Sequence, residues 1–160
     1  MSQDRQVAID DIGRAMQRYQ RSVQAFDDAV GRQLGLGPAD MRCLDFLSEA
    51  PRTAGELAVA AGLRPAATTA LIDRLERKGF VQRKPSPDDR RRVMVELTNS
   101  GSAQVWAAYG PMVEEGQRLF DSHTVDELEA MAALLGEMTS LTDRHRNDLA
   151  NRTGPAAPTP

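Results

Sequence analysis

The sequence is poor in cysteine, in aromatic residues and in long apolar runs. Its one cysteine, Cys43, cannot form an internal disulfide, which fits a reducing cytoplasm. Aromatic residues make up only 4% of the chain, so the core must be built from Leu, Val, Ala and Met. No apolar run approaches the roughly 20 residues that span a bilayer, and acidic residues near the N-terminus interrupt any signal-peptide core. We therefore expect a globular protein without a membrane segment.

Residues that support catalysis or metal binding are also scarce. The two histidines, His123 and His145, lie far apart in sequence, and neither has a metal-binding spacing such as HExxH. The sequence contains no GxSxG motif, no P-loop and no glycine-rich dinucleotide fingerprint. These absences predict a protein that is not an enzyme and that carries neither a metal ion nor a cofactor.

Charge is distributed unevenly along the chain. The net charge is −3, but residues 64–92 hold nine Lys/Arg against four Asp/Glu, which gives this segment +5 and leaves −8 for the rest. A basic segment on an acidic body is typical of a protein that presents one face to a polyanion such as nucleic acid. A solvated charged surface is the alternative interpretation of the same numbers.

Residues 7–34 are predicted to form one long helix, because apolar side chains recur there at alternating spacings of three and four. A single helix cannot cover such a stripe by itself, so it needs a partner helix from this chain or from a second copy. Further helices are predicted over about 38–50, 54–61, 65–78, 100–120 and 125–147. We expect the fifth helix to be interrupted at Gly110 and Pro111.

The helices over 54–61 and 65–78 have the layout of a helix-turn-helix. Thr53 and Glu56 have capping-box spacing at the start of the first, Gly62 suits its end, and Pro65 suits the first turn of the second. The second helix is predicted to bury four side chains, which are Thr68, Leu71, Ile72 and Leu75.

A short hairpin is predicted after the helix-turn-helix. Residues 80–83 and 93–97 read as two strands, and the loop between them carries three consecutive arginines at 90–92. Val93, Val95 and Leu97 are expected to hold the hairpin to the domain. Pro85 and Pro87 stiffen the approach to the arginines.

Three segments together resemble the MarR family of bacterial transcription regulators (multiple antibiotic resistance regulators). They are GELAVAAGL (55–63), TALIDRLERKGFVQRKPSPDDRRRVMVELTNSG (69–101) and DELEAMAALL (126–135). The resemblance implies a mostly α fold with a small β-hairpin wing, a winged helix-turn-helix within a helical homodimer. It also implies an N-terminal dimerisation helix at 1–36, a DNA-binding domain at 37–98 and C-terminal dimerisation helices at 99–148. The Pro-rich end of the chain predicts a disordered tail at 149–160.

The resemblance makes the helix over 65–78 a recognition helix in the major groove of double-stranded DNA. Arg64 suits a bidentate bond to guanine, while Arg74, Arg77 and Lys78 suit phosphates. Many relatives carry arginine where this chain has Ala70, and Ser or Asp where it has Arg64. The predicted DNA contacts of the helix are Arg64, Ala66, Thr68, Thr69, Ala70, Arg74 and Arg77.

The family's wing motif maps onto Asp89 and Arg91. Asp89 is expected to hold the loop and orient Arg91, which inserts into the minor groove. Arg90 and Arg92 are expected to contact phosphates. A homodimer of such domains would meet a palindromic operator as a repressor, with half-sites about 10 bp apart.

The resemblance further implies release of the operator by a small anionic or aromatic effector, bound between the dimer helices and the DNA-binding lobe. The candidate effector-binding residues are Tyr19, Arg42, Trp106 and Tyr109. Two alternatives stay open. One is a winged-helix module that binds protein without specific DNA binding. The other is a thiol-based redox regulator acting through Cys43, although the apolar side of its helix favours a buried, inert thiol.

Overall fold

The computed structural model describes residues 3–87, 89 and 91–153, and these form a mostly helical chain with one small sheet. The fold class agrees with the prediction. The elements are α1 (Gln3–Leu34), α2 (Pro38–Glu49), β1 (Arg52–Thr53), α3 (Ala54–Ala61), α4 (Pro65–Arg77), β2 (Val81–Pro85), β3 (Val93–Leu97), α5 (Asn99–Arg118) and α6 (Val125–Thr153).

Two helix ends and one expected interruption differ from the predictions. Helix α1 begins at Gln3 rather than residue 7, and α6 runs to Thr153 rather than residue 147. The proposed tail at 149–160 therefore starts inside α6, and its residues 154–160 lie outside the described part of the chain. Helix α5 is assigned without a break through Pro111, so the expected interruption is absent.

The sheet is antiparallel, with strand order β1-β3-β2. The predicted hairpin is the β2–β3 pair, whose register runs from Val81 opposite Leu97 to Pro85 opposite Val93. Strand β1 was not predicted, because two residues are too few to show the alternation of a strand. Val95 is buried, but Val93 is exposed, so Val93 does not hold the hairpin to the domain as expected.

The hydrophobic core lies among α2, α3, α4 and the sheet. All four side chains predicted to face inward from α4 are buried. Helix α2 adds Cys43, Leu44 and Leu47, and α3 adds Leu57. The apolar spacing of these helices was therefore a reliable guide to their inner faces.

The hairpin joins α5 through a close contact that only glycine permits. The Thr98 hydroxyl donates to Gly79 O (2.6 Å) and accepts from Gly101 N (2.8 Å), which fixes the start of α5. A Cβ built on Gly101 would lie 2.1 Å from Phe80 O, so any larger residue must push the backbone apart.

The chain divides into two compact units, Met1–Gly110 and Pro111–Pro160. In the first unit the apolar stripe of α1 is exposed at Ile9 and Ile12 and buried at Val30. In the second unit α6 carries its own exposed apolar row, formed by Val125, Met131, Leu134, Leu135, Leu141 and Leu149. No helix among the described residues has the length and hydropathy that crossing a bilayer needs.

Candidate nucleic-acid interface

Helices α3 and α4 form a helix-turn-helix with a tightly fixed turn. Gly62 adopts the left-handed conformation (φ 66°), and Leu63 N donates to Ala58 O at 2.9 Å, which closes α3. Arg42 reaches from α2 and donates to Ala61 O at 3.2 Å, which satisfies another end carbonyl of α3. The direction of α4 is thus set by contacts on both sides of the turn.

The predicted capping box at the start of α3 is present. The Thr53 hydroxyl accepts from Glu56 N (3.3 Å), and the Glu56 carboxylate accepts from Thr53 N (2.7 Å). The hydrogen bond from the Thr53 hydroxyl is the main cause of the lowered pKa of Glu56, and the nearby charge of Arg92 adds to it.

The exposed surface of α4 contains most of the predicted contact residues. Arg64, Ala66, Thr69, Ala70 and Arg77 are all exposed, as a helix face that meets DNA requires. In the described part of the chain, the guanidinium groups of Arg64 and Arg77 make no ion pair or hydrogen bond with another residue, so both are available to a partner.

Thr68 does not belong to this surface. It is only 1% exposed, and its hydroxyl donates to Arg64 O at 3.1 Å, inside the same helix. Its side chain packs within the domain, so a direct contact with DNA is sterically excluded. The sequence already placed Thr68 on the inner face of the helix, and burial decides between the two roles.

Arg74 and Lys78 are tied to the other side of the domain. Arg74 Nη2 donates to Asp40 Oδ1 at 2.5 Å, and Asp40 also accepts from Gly37 N at 3.0 Å. Lys78 Nζ donates to Gly35 O at 2.6 Å, beyond the end of α1. These contacts clamp α4 to the α1–α2 junction, so both cations have a structural role that the sequence did not indicate.

The two acidic residues of α4 pair with Arg83 of β2. Arg83 Nη2 donates to Asp73 at 2.6 Å, and its Nη1 donates to Glu76. Arg83 brings one positive charge to these two carboxylates, so it offsets half of the negative charge of α4 and leaves Arg77 without an ion-pair partner among the described residues.

The wing loop is organised by Asp89. Asp89 Oδ1 accepts from Arg91 N at 2.9 Å, and Asp89 O accepts from Arg92 N at 2.9 Å. Ser86 N then donates to Arg92 O at 2.8 Å and closes the loop. Asp89 contacts the backbone of Arg91 rather than its guanidinium group, which leaves that group exposed. Arg90 was also predicted to bind DNA, and it lies outside the described residues.

Apart from this surface, the first unit contains a cavity of about 750 Å³ among α1, α2 and α5. Two of the four candidate effector residues, Arg42 and Tyr109, line it, whereas Tyr19 and Trp106 do not. The Tyr109 hydroxyl donates to Asp27 at 2.7 Å, and the ring meets Phe26 edge-on with 5.4 Å between centroids. Burial and the Asp27 hydrogen bond raise the pKa of Tyr109, so the phenol stays protonated and its hydrogen remains donated to Asp27.

Cys43 is fully buried beside this region. Burial, with a smaller contribution from Asp40, raises the pKa of its thiol to about 11. A buried, protonated thiol is a poor nucleophile, which weighs against a redox-sensing role. Among the described residues, no three His, Cys, Asp or Glu side chains come together in a group that could hold a metal ion.

Comparisons with known proteins agree with this geometry. Residues 34–92 match the family model described as MarR family. An uncharacterized HTH-type transcriptional regulator of Bacillus subtilis, YcgE, is 36% identical over 119 residues, covering 74% of this chain and 77% of that protein. The HTH-type transcriptional repressor YetL of the same organism is 28% identical over 110 residues, covering 68% and 66%.

A solved structure also matches the fold. A mutant of MepR from S. aureus, bound to an oligodeoxyribonucleotide, superposes with a TM-score of 0.54 at 25% identity, covering 82% of this chain and 97% of that one. The curated relatives are transcriptional regulators rather than enzymes, which confirms the expectation that this chain is not an enzyme.

Proposed function

The chain belongs to the MarR family of transcriptional regulators, and on that premise we propose that it is a homodimeric repressor that binds a palindromic operator in double-stranded DNA. The observation that carries the proposal is the set of exposed guanidinium groups on α4 and the wing. Arg64, Arg77, Arg91 and Arg92 are exposed and make no ion pair with another described residue, on a chain whose net charge is −3.

Each part of this surface suits one part of the duplex. Helix α4 enters the major groove, where Arg64 donates to a base and Arg77 to a phosphate. The wing follows the neighbouring minor groove, into which Arg91 inserts because a narrow groove concentrates negative potential. Arg92 and Arg90 contact phosphates beside it. Arg74 adds charge nearby while it remains bonded to Asp40.

Homodimerisation is supported by exposed apolar surface on α1 and α6. Each helix presents a row of apolar side chains to solvent, and a single copy exposing this much hydrocarbon would tend to associate. A two-fold dimer places two recognition helices on half-sites about 10 bp apart. Sedimentation or light scattering should therefore give twice the 17.5 kDa mass of the chain.

The cavity beside Tyr109 supports regulation by a small effector. Its volume of about 750 Å³ is within the usual range for small-molecule sites, and Arg42 offers a positive charge and Tyr109 an aromatic ring to an anionic or aromatic ligand. The effector acts by population shift, since it prefers a dimer whose two recognition helices no longer match the spacing of the groove. Such a protein works in the cytoplasm, where bacterial DNA lies.

A salt titration tests the DNA-binding proposal directly. Fluorescence anisotropy with a random duplex should show an affinity that falls steeply between about 50 and 200 mM salt, by roughly tenfold for every two phosphates contacted. Arg77→Ala should reduce the slope of log K against log salt by about one. Arg14→Ala is the matched control, because Arg14 lies opposite the apolar stripe of α1 and, among the described residues, pairs only with exposed Asp11.

The alternative of a protein-binding winged helix gives a different result. Such a module would show no salt-dependent binding to any duplex, and the Arg77 and Arg14 variants would then be indistinguishable.

A further inference from the structure

The outward face of the recognition helix α4 is hydrocarbon between its two free arginines. Thr69 and Ala70 follow Ala66 by three and four residues, so both lie on the same side of the helix as Ala66, and all three are exposed. Exposed Ala67 borders them. No long side chain projects from this patch, and its outermost atoms are mainly methyl carbons.

The polar side chains near the patch are already occupied by other groups of the domain. The Thr69 hydroxyl donates to Pro65 O at 3.1 Å, so its hydrogen is not free for a base. Thr68 is buried, and its hydroxyl donates to Arg64 O. Asp73, the next outward position, is bonded to Arg83 at 2.6 Å. Helix α4 therefore has few hydrogen-bonding groups left with which to distinguish bases.

The major groove offers a matching apolar feature, the 5-methyl group of thymine. It is the one hydrocarbon group among the base edges of that groove, and alanine and threonine methyls are its usual protein contacts. Flanking Arg64 and Arg77 supply the positive charge that brings the patch against the duplex. The occupant of the patch is thus the thymine-bearing edge of DNA rather than an apolar protein segment.

We propose that α4 reads its half-site chiefly through thymine methyl groups packed against Ala66, Thr69 and Ala70, with Arg64 as the helix's hydrogen-bond donor to a base. The inference rests on the proposed DNA-binding function. Burial of one methyl group against these side chains changes affinity by about fourfold, so several thymines in a palindromic site together account for a large specificity ratio.

Deoxyuridine substitution isolates this contact, because deoxyuridine lacks only the 5-methyl group of thymine. Duplexes that bind the full-length protein are first selected from a random pool, and each thymine of the selected site is then replaced in turn. We expect about fourfold weaker binding at the thymines facing α4, placed symmetrically in the two half-sites. Replacing thymines that lie under the wing should leave the affinity unchanged, because the thymine methyl group does not lie in the minor groove.

Two variants of Thr69 provide a matched pair. Thr69→Val keeps the methyl and removes the hydroxyl, whereas Thr69→Ser keeps the hydroxyl and removes the methyl. We expect Thr69→Val to bind the thymine duplex like the unmodified protein. Thr69→Ser should bind it more weakly and show a smaller ratio between thymine and deoxyuridine duplexes. The ratio is measured within one variant, so any loss of helix stability cancels.

The possible outcomes separate the inference from the function on which it rests. Equal affinity for all thymine and deoxyuridine duplexes would overturn methyl reading while leaving DNA binding intact. A loss in Thr69→Val with none in Thr69→Ser would likewise overturn it and assign the reading to the hydroxyl. If no duplex is bound in a salt-dependent way, the DNA-binding proposal itself fails.

Discussion

Replacing Arg74 by alanine is expected to destabilise the domain more than replacing its partner Asp40. The Asp40 side chain is 5% exposed, whereas that of Arg74 is 44% exposed. Asp40 accepts two hydrogen bonds, from Arg74 at 2.5 Å and from Gly37 N at 3.0 Å. Removal of the arginine leaves a buried carboxylate with one donor, while removal of the carboxylate leaves an arginine that water can reach.

The magnitude follows from this asymmetry. Stripping the partner from a fully buried charge costs about 3–5 kcal/mol, and the partial exposure of Arg74 moves the expected cost to about 2–3 kcal/mol. Asp40→Ala loses the charge-assisted bond and the bond to Gly37 N, at about 1–2 kcal/mol, without creating a buried unpaired charge. The double variant should therefore be more stable than Arg74→Ala alone.

Urea unfolding at one fixed protein concentration measures these differences, because a dimer's stability depends on concentration. The unmodified protein should be the most stable and Arg74→Ala the least stable. Asp40→Ala and the double variant should lie between them, at similar stabilities. The reasoning is refuted if Arg74→Ala loses no more than the few tenths of a kcal/mol expected of Arg14→Ala, whose ion pair is exposed. It is also refuted if the double variant is the least stable of the four proteins.

Three further results are expected. Arg91→Ala should weaken operator binding at least tenfold in an anisotropy titration while circular dichroism and sedimentation stay unchanged, and an effect no larger than that of Arg14→Ala would contradict the wing assignment. Gly101→Ala should cost several kcal/mol in urea unfolding, because its Cβ would lie 2.1 Å from a backbone oxygen, whereas Gly116→Ala, with nothing within 4 Å, should be neutral or stabilising. The raised pKa of Cys43 means that the unfolded thiol ionises first, so stability falls as pH rises from 9.0 towards about 11. The Cys43→Ala variant should not show this loss of stability with rising pH. A thiol reagent should react with native Cys43 only as fast as the protein unfolds.

The sequence predicted the parts of the interface that depend on local periodicity and end signals. The inner face of α4, the capping box at Thr53 and the strand at Val93–Leu97 were all confirmed. These features follow from spacings of one to four residues, which a single sequence displays directly.

Ion pairs between residues that are distant in sequence could not be predicted in the same way. Arg74 pairs with Asp40 across 34 positions, and Arg83 with Asp73 across 10. Several carboxylates lie within plausible reach of each arginine in sequence, and only the packing of α2, α4 and β2 selects Asp40 for Arg74 and both Asp73 and Glu76 for Arg83.

The clamp on α4 has a consequence for how an operator can vary. Arg74 and Lys78 bind the helix to Asp40 and Gly35 O, so α4 cannot swivel or slide without breaking both contacts. A recognition helix that is fixed within its domain cannot adjust to a shifted half-site by moving on its own. Insertion of one base pair between half-sites rotates one half-site by about 34° around the duplex axis. Local motion of α4 cannot follow this rotation. In the proposed dimer, a change in half-site distance can therefore be followed only by movement of whole DNA-binding domains, not by movement of α4 alone.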